Sequence, residues 1–192
     1  WLLVWIILIP FTYKEIYSLK KIIFKNFKLL FLLGLSSVFL YSALTYKALN
    51  YTQVINASLF NTAVPATIIL VCFLLKIEKT NIFQLSGLLI STLGILAIVS
   101  KLQLNILLSL DFNKRDLFMI IAIISWGVYS AFLKKRNFKI SLLALVQIIC
   151  TFGLFLLAPA FLFELNQGHA IDINLNLFYI LLYVAIFPSI GS

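Results

Sequence analysis

The sequence predicts an all-α fold, a polytopic membrane helix bundle, and three observations carry that prediction. Of the 192 positions, 63% are hydrophobic and 11% charged, more apolar surface than a soluble domain of this size can hide. The apolar residues run continuously instead of alternating, so the spans are helices and not barrel strands. Two long runs, 54–75 and 82–100, contain no charged residue. Each can cross a hydrocarbon layer of about 30 Å as a helix.

Taken in order, residues 1–13 form the tail of one helix. Residues 14–28 form a basic connection with five lysines and Glu15. A first complete span covers 29–46, and 47–52 is a tight loop. The hairpin of 54–75 and 82–100 follows, joined by the polar stretch 76–80. A longer connection, 101–116, leads to a span over 117–133. Asn113 is its expected N-cap, and Asp116 lies in the first turn, where the helix dipole favours an acid. A basic turn (134–139), a span (140–163), a polar loop (164–174) and an opening span (175–192) complete the chain. The chain starts inside an apolar run without an initiator Met and reads as the middle of a longer protein. Cys72 and Cys150 both lie in apolar runs and read as small core residues, not as a disulfide or metal site.

Charge gives the orientation. Connections 14–28, 76–80 and 134–139 hold eleven of the fifteen basic residues and two acids. The alternate connections hold four basic residues and four acids. Net charge is therefore +9 on one side and zero on the other, and the basic side is expected to be cytoplasmic. Topology accounts for the basic excess, so no nucleic-acid partner is needed. The lipid bilayer is the expected partner.

Four segments resemble a known family. Y-K-A-L-N-Y-T-Q-V-I-N-A-S-L-F-N-T-A-V-P (46–65), K-I-E-K with Q-L-S-G-L-L-I-S-T-L-G-I (76–79, 84–95), R-D-L-F-M-I-I-A-I-I-S-W-G-V-Y-S-A-F-L-K-K-R (115–136) and Y-V-A-I-F-P-S-I (183–190) resemble, in order and spacing, the EamA-type transporters of the drug/metabolite transporter superfamily. Lys76–Ile77 departs from the family's Leu-Gly, and Arg115 from its Gly. The resemblance implies ten spans in two inverted five-helix repeats, of which about six to seven are present here. The first repeat would cover 1–100, the inter-repeat connection 101–116, and the second repeat 117–192. Gly34–Val38 can be laid on Ala185–Ser189, half a protein later. Inverted repeats suit alternating access, and the resemblance implies a multi-pass protein of the bacterial cytoplasmic membrane.

Helical spacing groups candidate residues on shared faces: Gly34, Ser37, Tyr41, Thr45 and Ala48; Val54, Ala57, Ser58, Asn61 and Pro65; Gln84, Gly87, Ser91 and Gly94; Ala122, Ser125 and Tyr129, with Trp126 beside them; Gln147, Thr151 and Ala158. Polar atoms at membrane depth are costly unless paired or lining a cavity. Tyr41, Ser37, Ser58, Asn61, Trp126, Tyr129 and Gln147 are the candidate substrate cavity. For Asn61 an interhelical hydrogen bond is the competing reading, and for Trp126 plain packing. Pro65 and Pro188 are candidate hinges or static kinks. Gly34, Gly87 and Gly94 are candidates for helix packing. His169 reads as loop surface.

No Asp, Glu, His, Lys or Arg lies inside a complete span. A neutral, polar and aromatic passage suits neutral or zwitterionic metabolites such as amino acids. A secondary carrier is the first reading, and a channel-like or non-transporting membrane subunit is the alternative. A membrane-embedded enzyme would need a nucleophile and base or metal ligands at depth, and the spans offer neither. No catalytic residue, metal or cofactor is expected.

Overall fold

The computed structural model describes residues 1–50, 60–77, 81–99, 116–167 and 174–190. Among them every regular element is helical. In chain order these are α1 (Leu2–Ser18), α2 (Lys20–Lys25), α3 (Phe27–Gly34), a π-helical segment (Leu35–Tyr41), α4 (Ser42–Leu49), α5 (Val64–Leu74), α6 (Ile82–Val99), α7 (Asp116–Lys134), α8 (Leu142–Asn166) and α9 (Leu175–Ile190). Among the described residues, Phe27–Leu49, Leu117–Lys134 and Leu142–Asn166 are long and apolar enough to cross a membrane, and Val64–Leu74, Ile82–Gly94 and Leu175–Phe187 are shorter apolar helices. Large side chains such as Phe83 (79% exposed) and Phe155 (75%) stand open to the surroundings. In water that would be an aggregation liability, whereas in a bilayer it is the lipid-facing surface.

Two expectations about the connections are corrected. The basic stretch 14–28 is not a loop. It continues α1 to Ser18 and then forms α2, with turns only at Leu19 and Asn26. Lysine is a good helix former, and no Gly or Pro interrupts 14–28, so nothing in it stops a helix. The tight loop expected at 47–52 is also absent at its start, because α4 runs on to Leu49. The first full span is therefore 23 residues, Phe27–Leu49.

The chain divides into two compact units. One comprises 1–39 and 137–192, the other 40–136. In the first, α1 and α3 both pack along α8, and α9 packs on α1. The contact of α3 with α8 is built on glycine. Gly34 lies against Phe152 and the Ile149 carbonyl, where an added Cβ would sit 2.8 and 2.9 Å away. Gly153 lies against Val38, with no room for a Cβ. Phe152 meets Phe27 and Phe31 edge-on, at centroid distances of 5.2 and 5.9 Å, the favoured geometry for aromatic quadrupoles. The buried hydroxyls here are satisfied within their own helices: Thr12 donates to the Leu8 carbonyl at 2.9 Å, and Ser36 and Ser37 donate to those of Leu32 and Leu33 at 2.7 and 2.6 Å. The last two bonds stand where the winding changes from α to π. A π turn bonds five residues back instead of four, and hydroxyls four residues on take up the carbonyls at that transition.

In the second unit, α7 packs against α4 and α5, and α6 packs on α5. The run expected as one span over 54–75 is described only from Phe60. Phe60 and Asn61 are helical, Thr62 and Ala63 form a turn, and α5 then starts at Val64. Pro65 is the second residue of α5, where its missing N–H costs least. Helix α5 ends in a Schellman motif: Ile77 N–H donates to the Cys72 carbonyl (2.9 Å) and Lys76 N–H to that of Phe73 (3.0 Å). Lys76 takes the left-handed conformation (φ 53°) that this cap requires. Ile77 then packs on the buried group Val71, Cys72 and Ala131.

Candidate functional site

The second unit brings four of the expected cavity residues together. The approach of α5 to α7 is set at Gly127, where a Cβ would lie 3.1 Å from Thr67 Cγ2 and Val71 Cγ2. That contact fixes the rotation of α7. Trp126 and Tyr129, three residues apart on α7 and so on one side of it, have ring centroids 5.0 Å apart, tilted by 49°. Tyr41 extends the row, its ring centroid 4.7 Å from that of Trp126 at 46°. The Tyr41 hydroxyl donates to Asn61 Oδ1 at 3.5 Å, at the long end of the range. Asn61 is exposed and immediately precedes the turn before α5. Pro65, four residues on, has no N–H to give the Asn61 carbonyl. The arrangement is three aromatic rings in a row, ending at a carboxamide where the helix is interrupted.

The other expected cavity residues fall elsewhere. Ser37 and Gln147 belong to the first unit, and both are 4% exposed. Ser37 spends its hydroxyl on Leu33. Gln147 keeps a buried Oε1 with no hydrogen-bond partner among the described residues. Ser58 lies outside the described residues. Pro188 falls on α9, and its side chain lies outside the described set.

Of the packing glycines, Gly34 is in the α3–α8 contact described above. Gly87 and Gly94 have nothing within 4 Å among the described residues, so α6 makes no close contact through them there. The face proposed to hold Gly34, Tyr41 and Ala48 together is also divided. Gly34 meets α8, Tyr41 meets Trp126, and Ala48 packs on Met119. The π segment lies between them and breaks the 3.6-residue spacing.

Several residues were missed by sequence reasoning. Trp5 Nε1–H donates to Thr151 Oγ1 (2.9 Å), whose own hydroxyl donates to the Gln147 carbonyl (2.8 Å). Glu15 Oε1 accepts from the Ser141 N–H at 2.9 Å and Oε2 from its hydroxyl at 2.6 Å. Ser141 in turn caps α8, its Oγ accepting from Ala144 N–H at 3.2 Å. The available signal was a lone acid among five lysines, and a Ser just ahead of a long apolar run. Gly127 and Gly153 gave none beyond being glycines in apolar runs. Cys72 and Cys150 are buried free thiols. Among the described residues no three His, Cys, Asp or Glu side chains gather as a metal set.

The Ser141 hydroxyl and N–H hold the Glu15 carboxyl below its ordinary value, because both bonds favour the ionised form. A group with a depressed folded pKa stabilises the fold fully above its unfolded value of about 4.3 and loses that contribution as pH falls through the folded value. Melting curves of the chain and of Glu15→Gln in detergent are therefore expected to differ at pH 7 and to converge towards pH 3. A gap independent of pH would show that the pairing owes nothing to charge.

The long apolar helices are those of a multi-pass membrane protein. The sequence model of the EamA-like transporter family matches residues 1–100, more than half of the 192. The chain belongs to that family, a transporter of the drug/metabolite kind. No curated protein and no solved structure matches the chain.

Proposed function

We propose that the protein is a secondary carrier that moves small neutral or zwitterionic metabolites, amino-acid-like in size and polarity, by alternating access. The observation that carries this reading is the row Tyr129–Trp126–Tyr41 ending at Asn61. Tilted rings offer apolar faces and attract an ammonium group, and the carboxamide offers both a donor and an acceptor. The charged residues of α3 to α9 stand at or near the helix ends, so the passage has no fixed charge for a multiply charged ion. Ser37, Ser58 and Gln147 are further candidates for solute contact, and Pro65 and Pro188 are proposed flexing points of their own segments. The repeats would be 1–100 and 117–192, inverted about the connection 101–116. Segments 14–28, 76–80 and 134–139 would face the cytoplasm of a bacterial inner membrane.

The test is flux into liposomes carrying the purified full chain, measured with radiolabelled amino acids and with citrate. Saturable amino-acid uptake and no citrate uptake are expected. Saturable citrate flux would overturn the substrate class. Non-saturable flux, or none for any solute, would favour a channel-like or non-transporting subunit.

A further inference from the structure

We propose that the helical segment 13–28 is a platform at the membrane surface that binds the headgroups of anionic phospholipid. The proposal rests on the finding that this basic stretch is folded and not a loose connection. Helix α2 sits between turns at Leu19 (φ −92°, ψ 7°) and Asn26 (φ −104°, ψ 18°) and packs on both α1 and α3. Asn26 Nδ2 donates to the Ile22 carbonyl at 2.9 Å and closes the second turn. The helix therefore has two defined sides. Ile22 and Ile23 are partly buried, whereas Lys20, Lys21, Phe24 and Lys25 are exposed, Phe24 at 84%. Lys20 Nζ stands 4.8 Å over the Tyr17 ring, and Lys28 continues the exposed basic side.

Charge complementarity selects the occupant. The segment carries five lysines and one acid, Glu15, and the carboxylate of that acid is engaged by Ser141. The lysines are left without a compensating acid in their own segment. A soluble anion would satisfy the lysines but would leave Phe24 and Tyr17 in water. A headgroup region satisfies both, because aromatic rings settle at the level of the headgroups while lysines reach the phosphates. Anionic lipid is held by such clusters with roughly five-fold in binding per lysine at the surface. The segment lies next to Phe27–Leu49, a helix long enough to span the bilayer, which would hold it at that depth.

The full chain is placed in nanodiscs of equal phosphatidylglycerol and phosphatidylcholine, and the lipid retained on transfer to detergent is quantified. Preferential retention of phosphatidylglycerol is expected, reduced by high salt. The variant K20Q/K21Q/K25Q is expected to lower that preference by roughly ten-fold or more, and K20R/K21R/K25R to keep it. A preference unaffected by salt in the unmodified protein would overturn the proposal. So would an unchanged preference in the glutamine variant, or an equal loss in K135Q/K139Q. Displacement of the lipid by inorganic phosphate at equal concentration would reassign the segment to a soluble anion. Should the glutamine variant fail to elute as a single species, the salt and phosphate measurements on the unmodified protein decide alone.

Discussion

Gly153→Ala is expected to lower the melting temperature of the protein by several degrees. Helix propensity alone argues the other way, since alanine is favoured over glycine in a helix interior by about 1 kcal/mol. Packing decides against it. A Cβ at 153 would overlap Cβ and Cγ1 of Val38, and neither atom is the far end of a flexible chain. Overpacking of this kind costs about 1–3 kcal/mol, occasionally more, because α3 must move off α8. Adding Val38→Gly removes both overlapping atoms and should restore part of the loss, with a coupling energy in the range of about 0.5–3 kcal/mol. The same substitution at Gly87 or Gly94, which meet nothing within 4 Å among the described residues, should show no loss. Equal effects at 153 and 87 would mean that the α3–α8 contact is not the close one described.

Trp126→Ala is expected to reduce kcat/KM for the transported solute by about ten-fold or more, equivalent to about 1.4 kcal/mol of lost interaction. Trp126 touches the rings on both its sides, so its loss opens a gap in the middle of the row. Tyr41→Phe should cost less, because its hydroxyl makes only a 3.5 Å bond to Asn61 and the ring is kept. Trp126→Phe should lie between the two. Melting temperature separates a transport defect from a folding defect. Unchanged flux in a well-folded Trp126→Ala protein would remove the row from the solute path.

The helical spans were legible in the sequence because charge-free runs in a membrane have few alternatives to a helix. The pairing of Trp126 with Tyr129 was legible because a spacing of three on an unbroken helix fixes one side. The structure of 14–28 was not legible, since a lysine-rich stretch between apolar runs reads as a connection by polarity, and only its lack of Gly and Pro hints otherwise. Trp5 with Thr151 was invisible because 146 positions separate them and each is ordinary in its own run. Glycine has no sequence pattern that says which copy is squeezed. Among the described residues Gly153 and Gly127 are in close contacts, and Gly87 and Gly94 are not. The first unit joins helices from both ends of the chain, so proximity in sequence gave no guide to the packing of α1 and α3 on α8.

The seven π-wound residues carry a further implication for reading relatives of this protein. Each turn there takes in about one residue more than an α turn, an offset of about 100° in azimuth. Gly34, ahead of this segment, makes the glycine contact within one unit, and Tyr41, at its end, joins the aromatic row within the other. A relative one residue shorter between 34 and 41 would wind normally, and its tyrosine would point away from the tryptophan even with every aligned letter identical. Indel position in this stretch, more than residue identity, is the trait to follow when relatives are compared for what they carry.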